Sequence, residues 1–388
     1  MLNTAFSPWP SFTEEEANAA RELLLSNKVN YWTGTQCREF EKEFAHWAGV
    51  EFAVALANGT VALDVSLKAL GIGPGDEVIV TSRSFIASAS CIAMAGATPI
   101  FADVNEDSQN ITIESICQVM TPRTKAIICV HLAGWPCDMD PIMAMAKEHG
   151  LYVIEDCAQA HGARYKGRSV GSIGHIGAWS FCQDKIMTTG GEGGMVTTND
   201  YALWSKMWSF KDHGKSWEEL LKKKPTGFAW LHESFGTNWR MIELQAVVGR
   251  IQLKRMDLWH SQRINNAKKI WSIASTLPGL RVPEVPAEIE HAAYKCYVFV
   301  EPEKLKVDRE YILNAINERG VPCYSGTCSE IYLEKAFNET GWQPLERLPI
   351  ARRLGETSLM FLVHPTLKPD EIEKTCQVLQ SVMLLAQK

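Results

Sequence analysis

Absences bound this chain before any motif does. Among its 388 residues no apolar run reaches the roughly 18 or more needed to cross a bilayer. Residues 1–10 lack the basic start and apolar core of a secretory signal, so secretion is not expected. Positive charge is not in excess: 39 Lys and Arg stand against 45 Asp and Glu, a net charge of −6, with the signs interspersed. That balance offers no electrostatic footprint for nucleic acid or an anionic membrane surface. The eleven cysteines never form a Cys-x-x-Cys pair. This argues against a zinc site or a disulfide framework and for free thiols in a reducing cytoplasm. No Gly-x-Gly-x-x-Gly turn follows a strand-like run. Gly71-Ile72-Gly73-Pro74-Gly75 precedes one instead, which disfavours a nicotinamide-binding fold.

Hydrophobic residues make up 46% of the chain, enough for a large core. Apolar runs at 52–57, 77–81, 98–102, 126–130, 152–155, 178–181 and 195–198 have strand character. The earlier ones alternate with helical segments at 61–70, 86–95, 113–120 and 139–148. Continuous apolar strands alternating with helices predict an α/β fold. Its mostly parallel sheet is covered on both faces and binds ligands at the carboxyl ends of its strands. Residues 1–12, rich in proline and aromatics, read as an extended arm. Thr13-Glu14-Glu15-Glu16 is a capping box opening a helix toward Leu25. Tyr31 and Trp32 lie in a loop, where binding and packing are equally expected. Residues 201–240 read as a long, partly irregular excursion, and 241–276 as one long helical stretch linking two domains. Beyond Pro278 the pattern is α+β, with Asp308 capping a helix stopped by Gly320 and a last helix from Pro369. The expected units are an arm at 1–12, a large domain at 13–250, and a linking helix with a small C-terminal domain at 251–388.

One lysine organises the chemistry. Lys185 stands between the run 178–181 and Thr188-Thr189-Gly190-Gly191-Glu192-Gly193-Gly194. Its ordinary reading is a solvated loop lysine, but a partly buried amine there is suited to forming a Schiff base and moving a proton. Gly59-Thr60, between an apolar strand and a helix, reads either as a phosphate-binding turn or as a plain strand-to-helix turn. Glu155 and Asp156 end a strand, and side chains alternate faces there, so only one can serve a site. Asp156, at the strand's mouth, is suited to holding a proton on a pyridine nitrogen, or to capping a helix. Gln159 and His161 either approach the same crevice or bind backbone. The Ser180 hydroxyl is a phosphate donor, and Phe85 a stacking surface or core residue.

These elements, in this order, resemble the DegT/DnrJ/EryC1/StrS family of pyridoxal-phosphate sugar aminotransferases over essentially the whole chain. The resemblance rests on Ala-Asn-Gly-Thr (57–60), Gly-Ile-Gly-Pro-Gly-Asp-Glu-Val-Ile-Val (71–80), Ala-Gly-Ala-Thr-Pro-Ile-Phe-Ala-Asp (95–103) and His-Leu-Ala-Gly (131–134). It continues through Glu-Asp-Cys-Ala-Gln-Ala-His-Gly (155–162), Ser-Phe-Cys-Gln-Asp-Lys (180–185), Gly-Glu-Gly-Gly (191–194) and Gly-Thr-Asn-Trp-Arg-Met (236–241). It implies the aspartate-aminotransferase-like fold of type I pyridoxal 5'-phosphate enzymes, glutamate as amino donor, a keto-sugar acceptor, and a homodimer with shared sites. By position it implies that Lys185 forms the Schiff base and Asp156 pairs with the pyridine nitrogen. Phe85 then stacks on the ring and Gln159 lies near the phenolic oxygen. Gly59, Thr60 and Ser180 hold the phosphate, and Asn238 reaches the phosphate of the neighbouring subunit's cofactor.

Cys182 and Gln183 depart from that family's usual pattern and point to a subgroup with altered surroundings. Residues 6–10, 29–34 and 180–185 resemble the subgroup making 8-amino-3,8-dideoxy-octulosonate for lipopolysaccharide. Such an acidic sugar calls for a cation in the pocket, and Arg83 and Arg240 are the candidates. A nucleotide-linked keto-deoxysugar is the alternative substrate. A non-catalytic pyridoxal-binding sensor is a more distant reading, disfavoured by the retained Lys185. A cysteine-based metal protein is disfavoured by the cysteine spacing.

Overall fold

The computed structural model describes residues 5–222 and 230–387. Seven apolar segments pair into one sheet: β1 (Phe52–Leu56), β2 (Glu77–Thr81), β3 (Thr98–Ala102), β4 (Thr124–Val130), β5 (Tyr152–Asp156), β6 (Ile176–Ser180) and β7 (Gly194–Thr198). Their spatial order is β1-β7-β6-β5-β4-β2-β3. The strands from β6 through β3 pair in parallel. β7 runs against both its neighbours, so β1 points the same way as the parallel set. Strands β2, β6 and β7 are buried along their whole length, the pattern of a sheet covered on both faces. Consequently the ends of β1, β2, β5 and β6 and the start of β7 share one edge.

One sequence expectation is corrected here. Residues 241–276 form not one helix but two, Glu243–Leu253 and Met256–Ala274. Residues 201–240 are partly irregular, and their regular part is helical: Asp200 caps a helix over Tyr201–Lys211, accepting from the Ala202 and Leu203 N–H groups, and a short helix covers Trp217–Leu221. Part of that expectation, 223–229, lies outside the described residues. Tyr31 is buried, 1% exposed, and its hydroxyl accepts from Trp208 Nε1 at 3.1 Å, so it is a packing residue.

A second, four-stranded antiparallel sheet joins Leu280–Arg281, Cys296–Val300, Ser358–Phe361 and Cys323–Tyr324, in that order. It shares a separate apolar cluster with the helices Met256–Ala274, Arg309–Glu318 and Pro369–Ala386. Asp308 caps the second of these through the Tyr311 N–H.

The described part of the N-terminal arm, 5–12, carries no helix or strand. The Ser7 N–H donates to Glu371 Oε1 at 2.5 Å, and the Pro8 carbonyl accepts from Thr366 Oγ1 at 2.7 Å. Trp9 stacks on His364, meets Trp259 edge-on, and donates its indole N–H to the Lys185 carbonyl at 2.9 Å. The arm is thereby anchored against the loop that the sequence marks as central. All eleven cysteines are free. Among the described residues no helix is long and apolar enough to cross a membrane.

Candidate active site

The shared strand edge opens into a cavity of 560 Å³. Its walls bring together Gly59, Thr60, Phe85, Asp156, Gln159, Ser180 and Lys185, which are separated by up to more than a hundred positions in the chain. Lys185 enters from the loop after β6. Its N–H donates to the Cys182 carbonyl, and its side chain is 17% exposed. Its ammonium lies 3.8 Å from Asp184 Oδ1 and 5.2 Å from the centre of the Tyr294 ring. The loop turns back to β7 through Gly190 and Gly191, at φ 85° and 128°, a conformation that side-chain-bearing residues resist.

β5 separates its two carboxylates by the pleat. Glu155 turns away from the cavity, accepting from His131 Nε2 and from the N–H groups of Gly171, Ile173 and Gly174 at 2.6 to 2.9 Å. Cys157 lies close enough to make this a conceivable metal group. Yet the Glu155 oxygens take four donors, and His131 Nδ1 accepts from the Cys137 N–H. The arrangement is a closed structural network. Asp156 instead lines the cavity and is 5% exposed. Ser88 Oγ donates to its Oδ2 at 2.8 Å and the Ala158 N–H to its Oδ1 at 3.1 Å. It caps a turn, because no helix follows β5 directly. Burial pushes its pKa up, against the opposing pull of Ser88, the Ala158 N–H and Lys185. A cationic N–H placed in the cavity would relieve that cost.

Opposite, the helix Gly59–Ala69 begins at the cavity wall with Asn58 as its cap. Its first N–H groups have no intrahelical partner and, with the helix dipole, favour an anion. A Cβ on residue 59 would sit 2.5 Å from Ser180 Cβ, so only glycine lets this turn approach the Ser180 hydroxyl. Phe85 is 64% exposed, an unusual state for a phenylalanine, and lines the same cavity. Gln159 Oε1 accepts from the Ala133 N–H, which fixes its orientation. A desolvated carboxylate, an exposed aromatic face, an anion-binding turn and a lysine thus surround one space. This set fits pyridoxal 5'-phosphate, a flat ring carrying a basic nitrogen, an aldehyde and a phosphate.

The two arginines expected to meet a substrate carboxylate are corrected. Arg83 is completely buried. Its guanidinium donates to Gln109 Oε1, Ser329 Oγ and Ser358 Oγ and lies over the Tyr297 ring. It ties the β2 end to the second sheet and does not line the cavity. Arg240 is paired with buried Asp212 at 2.8 Å and does not line the cavity either. Asn238 is exposed and also lies outside this chain's cavity. His161 is fully buried between the Trp179 and Phe181 rings. Burial, with the charges of Lys185 and Arg263, pushes its pKa down to about 3, so it is neutral packing. Sequence reasoning passed over Ser88, which holds Asp156, and Tyr294, whose hydroxyl donates to Asp184 Oδ2 at 2.5 Å. Neither belongs to a motif; only its position in space marks it.

The DegT/DnrJ/EryC1/StrS aminotransferase family model matches residues 10–380. The chain superposes on the X-ray structure of an aminotransferase from Psychrobacter cryohalolentis with a TM-score of 0.96. It is 61% identical to that chain and covers 98% of its own length and 99% of the other's. It is 37% identical over 367 residues to the UDP-N-acetyl-3-dehydro-alpha-D-glucosamine 3-aminotransferase of Acidithiobacillus ferrooxidans, covering 92% of each chain. Against the GDP-perosamine synthase of Escherichia coli O157:H7 it is 34% identical, covering 95% of each. With its aminotransferase fold and a cavity that fits the cofactor, the chain belongs to the DegT/DnrJ/EryC1/StrS aminotransferase family and is a pyridoxal-phosphate-dependent sugar aminotransferase.

Proposed function

We propose that this enzyme moves an amino group from glutamate to 8-oxo-3-deoxy-octulosonate, giving 8-amino-3,8-dideoxy-octulosonate for lipopolysaccharide or another surface polysaccharide. One observation carries the transaminase chemistry: Lys185 and the buried Asp156 carboxylate line a single cavity across from a phosphate-suited helix start. Bound pyridoxal phosphate supplies an electron sink for the pair left when the C–H bond beside nitrogen breaks.

The chain's own residues do the rest. Lys185 would hold the cofactor, and its neutral amine would move the proton at the reacting carbon. Asp156, held by Ser88 and the Ala158 N–H, keeps a proton on the ring nitrogen. The N–H groups of Gly59 and Thr60 and the Ser180 hydroxyl hold the phosphate. Phe85 would offer its exposed face to the ring, and Gln159, oriented by the Ala133 N–H, would help hold it. Asn238, exposed and outside its own chain's cavity lining, serves the partner subunit's site in a homodimer. The octulosonate assignment is supported by the resemblance of residues 6–10, 29–34 and 180–185 to that subgroup. Cys182 of the last stretch lines the cavity.

A second reading has specific support. Two relatives are named for UDP- and GDP-linked sugars, so a nucleotide-linked keto-deoxysugar is the competing acceptor. Borohydride reduction of the holoenzyme should fix the cofactor on the Lys185 peptide, and Lys185→Ala should abolish that label; an unchanged label in the variant refutes the assignment. Presenting the glutamate-treated enzyme with the 8-oxo octulosonate, an aldehyde at C8, and with UDP- and GDP-keto-sugars decides the acceptor. Only the true one restores the original cofactor spectrum.

A further inference from the structure

Around Tyr294 lies a group of cations that no sequence motif announces. The Tyr294 ring is flanked by the Lys185 ammonium at 5.2 Å from its centre and by the Lys295 ammonium at 4.8 Å. Behind it, Arg263 is 1% exposed. Its Nη1 donates only a long 3.4 Å bond to the Tyr294 carbonyl, and Nε and Nη2 have no partner among the described residues. The Trp9 ring of the N-terminal arm closes over it, 4.9 Å from Cζ.

The charges here do not cancel. Asp184 is the one carboxylate, among the described residues, whose charge reaches Lys295. It is already bonded to the Tyr294 hydroxyl and close to Lys185. No carboxylate among the described residues answers Arg263. The histidines nearby add nothing negative: His364 and His161 are each held at about 3, by burial first and then by the surrounding cations, and are neutral. Burial, and the charges of Arg263 and Lys185, depress Lys295 to about 8, while Asp184 pulls the other way. A buried guanidinium without an anion is costly and persists where something else offsets that cost. Both substrates in the proposed reaction bear a carboxylate, and Arg83 and Arg240 are otherwise engaged; Lys295 also stands outside the cavity lining, but it is joined to the cavity through Asp184, which lines it and bonds Tyr294.

We infer that Lys295 is a carboxylate-binding residue for a substrate reacting at Lys185, with Arg263 as a positioning charge behind it. The Lys295 ammonium contacts the anion, and Arg263, shut in by Trp9, strengthens the local field without touching it. The inference rests on the proposed glutamate donor and acid-sugar acceptor and extends them to a specificity determinant. The carboxylate belongs either to the amino donor or to the acid sugar, and separate half-reactions tell them apart.

The test uses holoenzyme and follows the cofactor spectrum. Wild type, Lys295→Met, Lys295→Arg and Arg263→Met are each titrated with L-glutamate. In their amino-charged form they are titrated with the 8-oxo octulosonate and with its C1 amide. Retained borohydride labelling at Lys185 verifies an intact site in every variant. Lys295→Met is expected to weaken half-saturation by one carboxylate substrate tenfold or more, with a smaller change in limiting rate. Lys295→Arg recovers most of the loss, and Arg263→Met shows a weaker form of the same split. A loss confined to glutamate assigns the anion to the donor. A loss confined to the sugar acid and spared in its amide assigns it to the acceptor. Wild-type turnover with half-saturation unchanged in Lys295→Met overturns this inference alone. Absence of wild-type turnover with glutamate and the 8-oxo octulosonate overturns the proposed donor and acceptor and this inference with them.

Discussion

The Ser88 hydroxyl, on the helix Ala87–Met94, donates to Asp156 Oδ2 at 2.8 Å, so a residue with no reactive chemistry of its own controls the carboxylate proposed to hold the cofactor ring. Asp156 is nearly fully buried, and burial drives it toward the neutral form. Each donor it keeps favours the charged form. Ser88→Ala should therefore loosen pyridoxal phosphate about tenfold, the equivalent of roughly 1.4 kcal/mol for one hydrogen bond to a charged group. Fluorescence titration of apoenzyme checks this. An Asp156→Ala variant should lose far more, and Ser88→Thr should lose little.

Gly59 and Ser180 are in a steric relationship that glycine alone satisfies, since a Cβ at 59 would stand 2.5 Å from Ser180 Cβ. Both are backbone-supported and neither can retreat easily, because Ser180 ends a buried strand. Gly59→Ala should destabilise the apoprotein by about 1–3 kcal/mol, the usual cost of overpacking. It should also weaken cofactor binding through the displaced helix start. Adding Ser180→Gly should recover part of the stability but not the affinity. Denaturation midpoints and cofactor titration of the double-mutant cycle separate the two effects.

Glu155 predicts a pH dependence. Burial alone would raise its pKa, but the His131 ring and the N–H groups of Gly174 and Gly171 outweigh burial and hold it below the ordinary carboxylate value. A depressed acid contributes stability above its unfolded pKa of about 4.3, and that stability is lost as pH falls through the folded value. Glu155→Gln turns an amide toward three backbone donors and should cost about 3 kcal/mol near neutrality. The gap in melting temperature between wild type and variant should stay level from neutral pH downward and narrow below about pH 4.

Arg83 should prove structural. Its guanidinium holds Gln109, Ser329 and Ser358, the last two 246 and 275 positions away. Arg83→Ala strands three acceptors, Gln109 and Ser358 of them buried, and should cost about 3 kcal/mol. Sugar KM should not change. A selective rise in sugar KM at unchanged stability would instead place Arg83 on the substrate.

Much of the site is legible in the amino-acid sequence. Lys185 stands out because a lysine against a glycine-rich turn is uncommon in an apolar setting. The split between Glu155 and Asp156 follows from the strand pleat alone, and Gly59-Thr60 from the order strand, turn, helix. The helix boundaries at Thr13, Asp308 and Pro369 are legible because capping is local chemistry, complete within three or four residues. The break between Leu253 and Met256 is not, since 241–276 stays helical in pattern while tertiary packing turns the chain. The excursion over 201–240 hides the helix Tyr201–Lys211 because its tryptophans pack on several sides and blur the periodicity.

What the sequence determined by itself was the kind of chemistry: a lysine, a carboxylate and an anion-binding turn, each recognisable from neighbours a few residues away. Only the tertiary structure decided which cations are free. Arg83, Arg240, Arg263 and Lys295 look alike as letters. Three hydrogen bonds engage Arg83 and Asp212 engages Arg240, whereas no carboxylate among the described residues answers Arg263, and Lys295 feels only Asp184, which Lys185 and Tyr294 share. The reason is physical: a long cation's role is set by its partners, and those partners come from distant parts of the chain that only folding brings together.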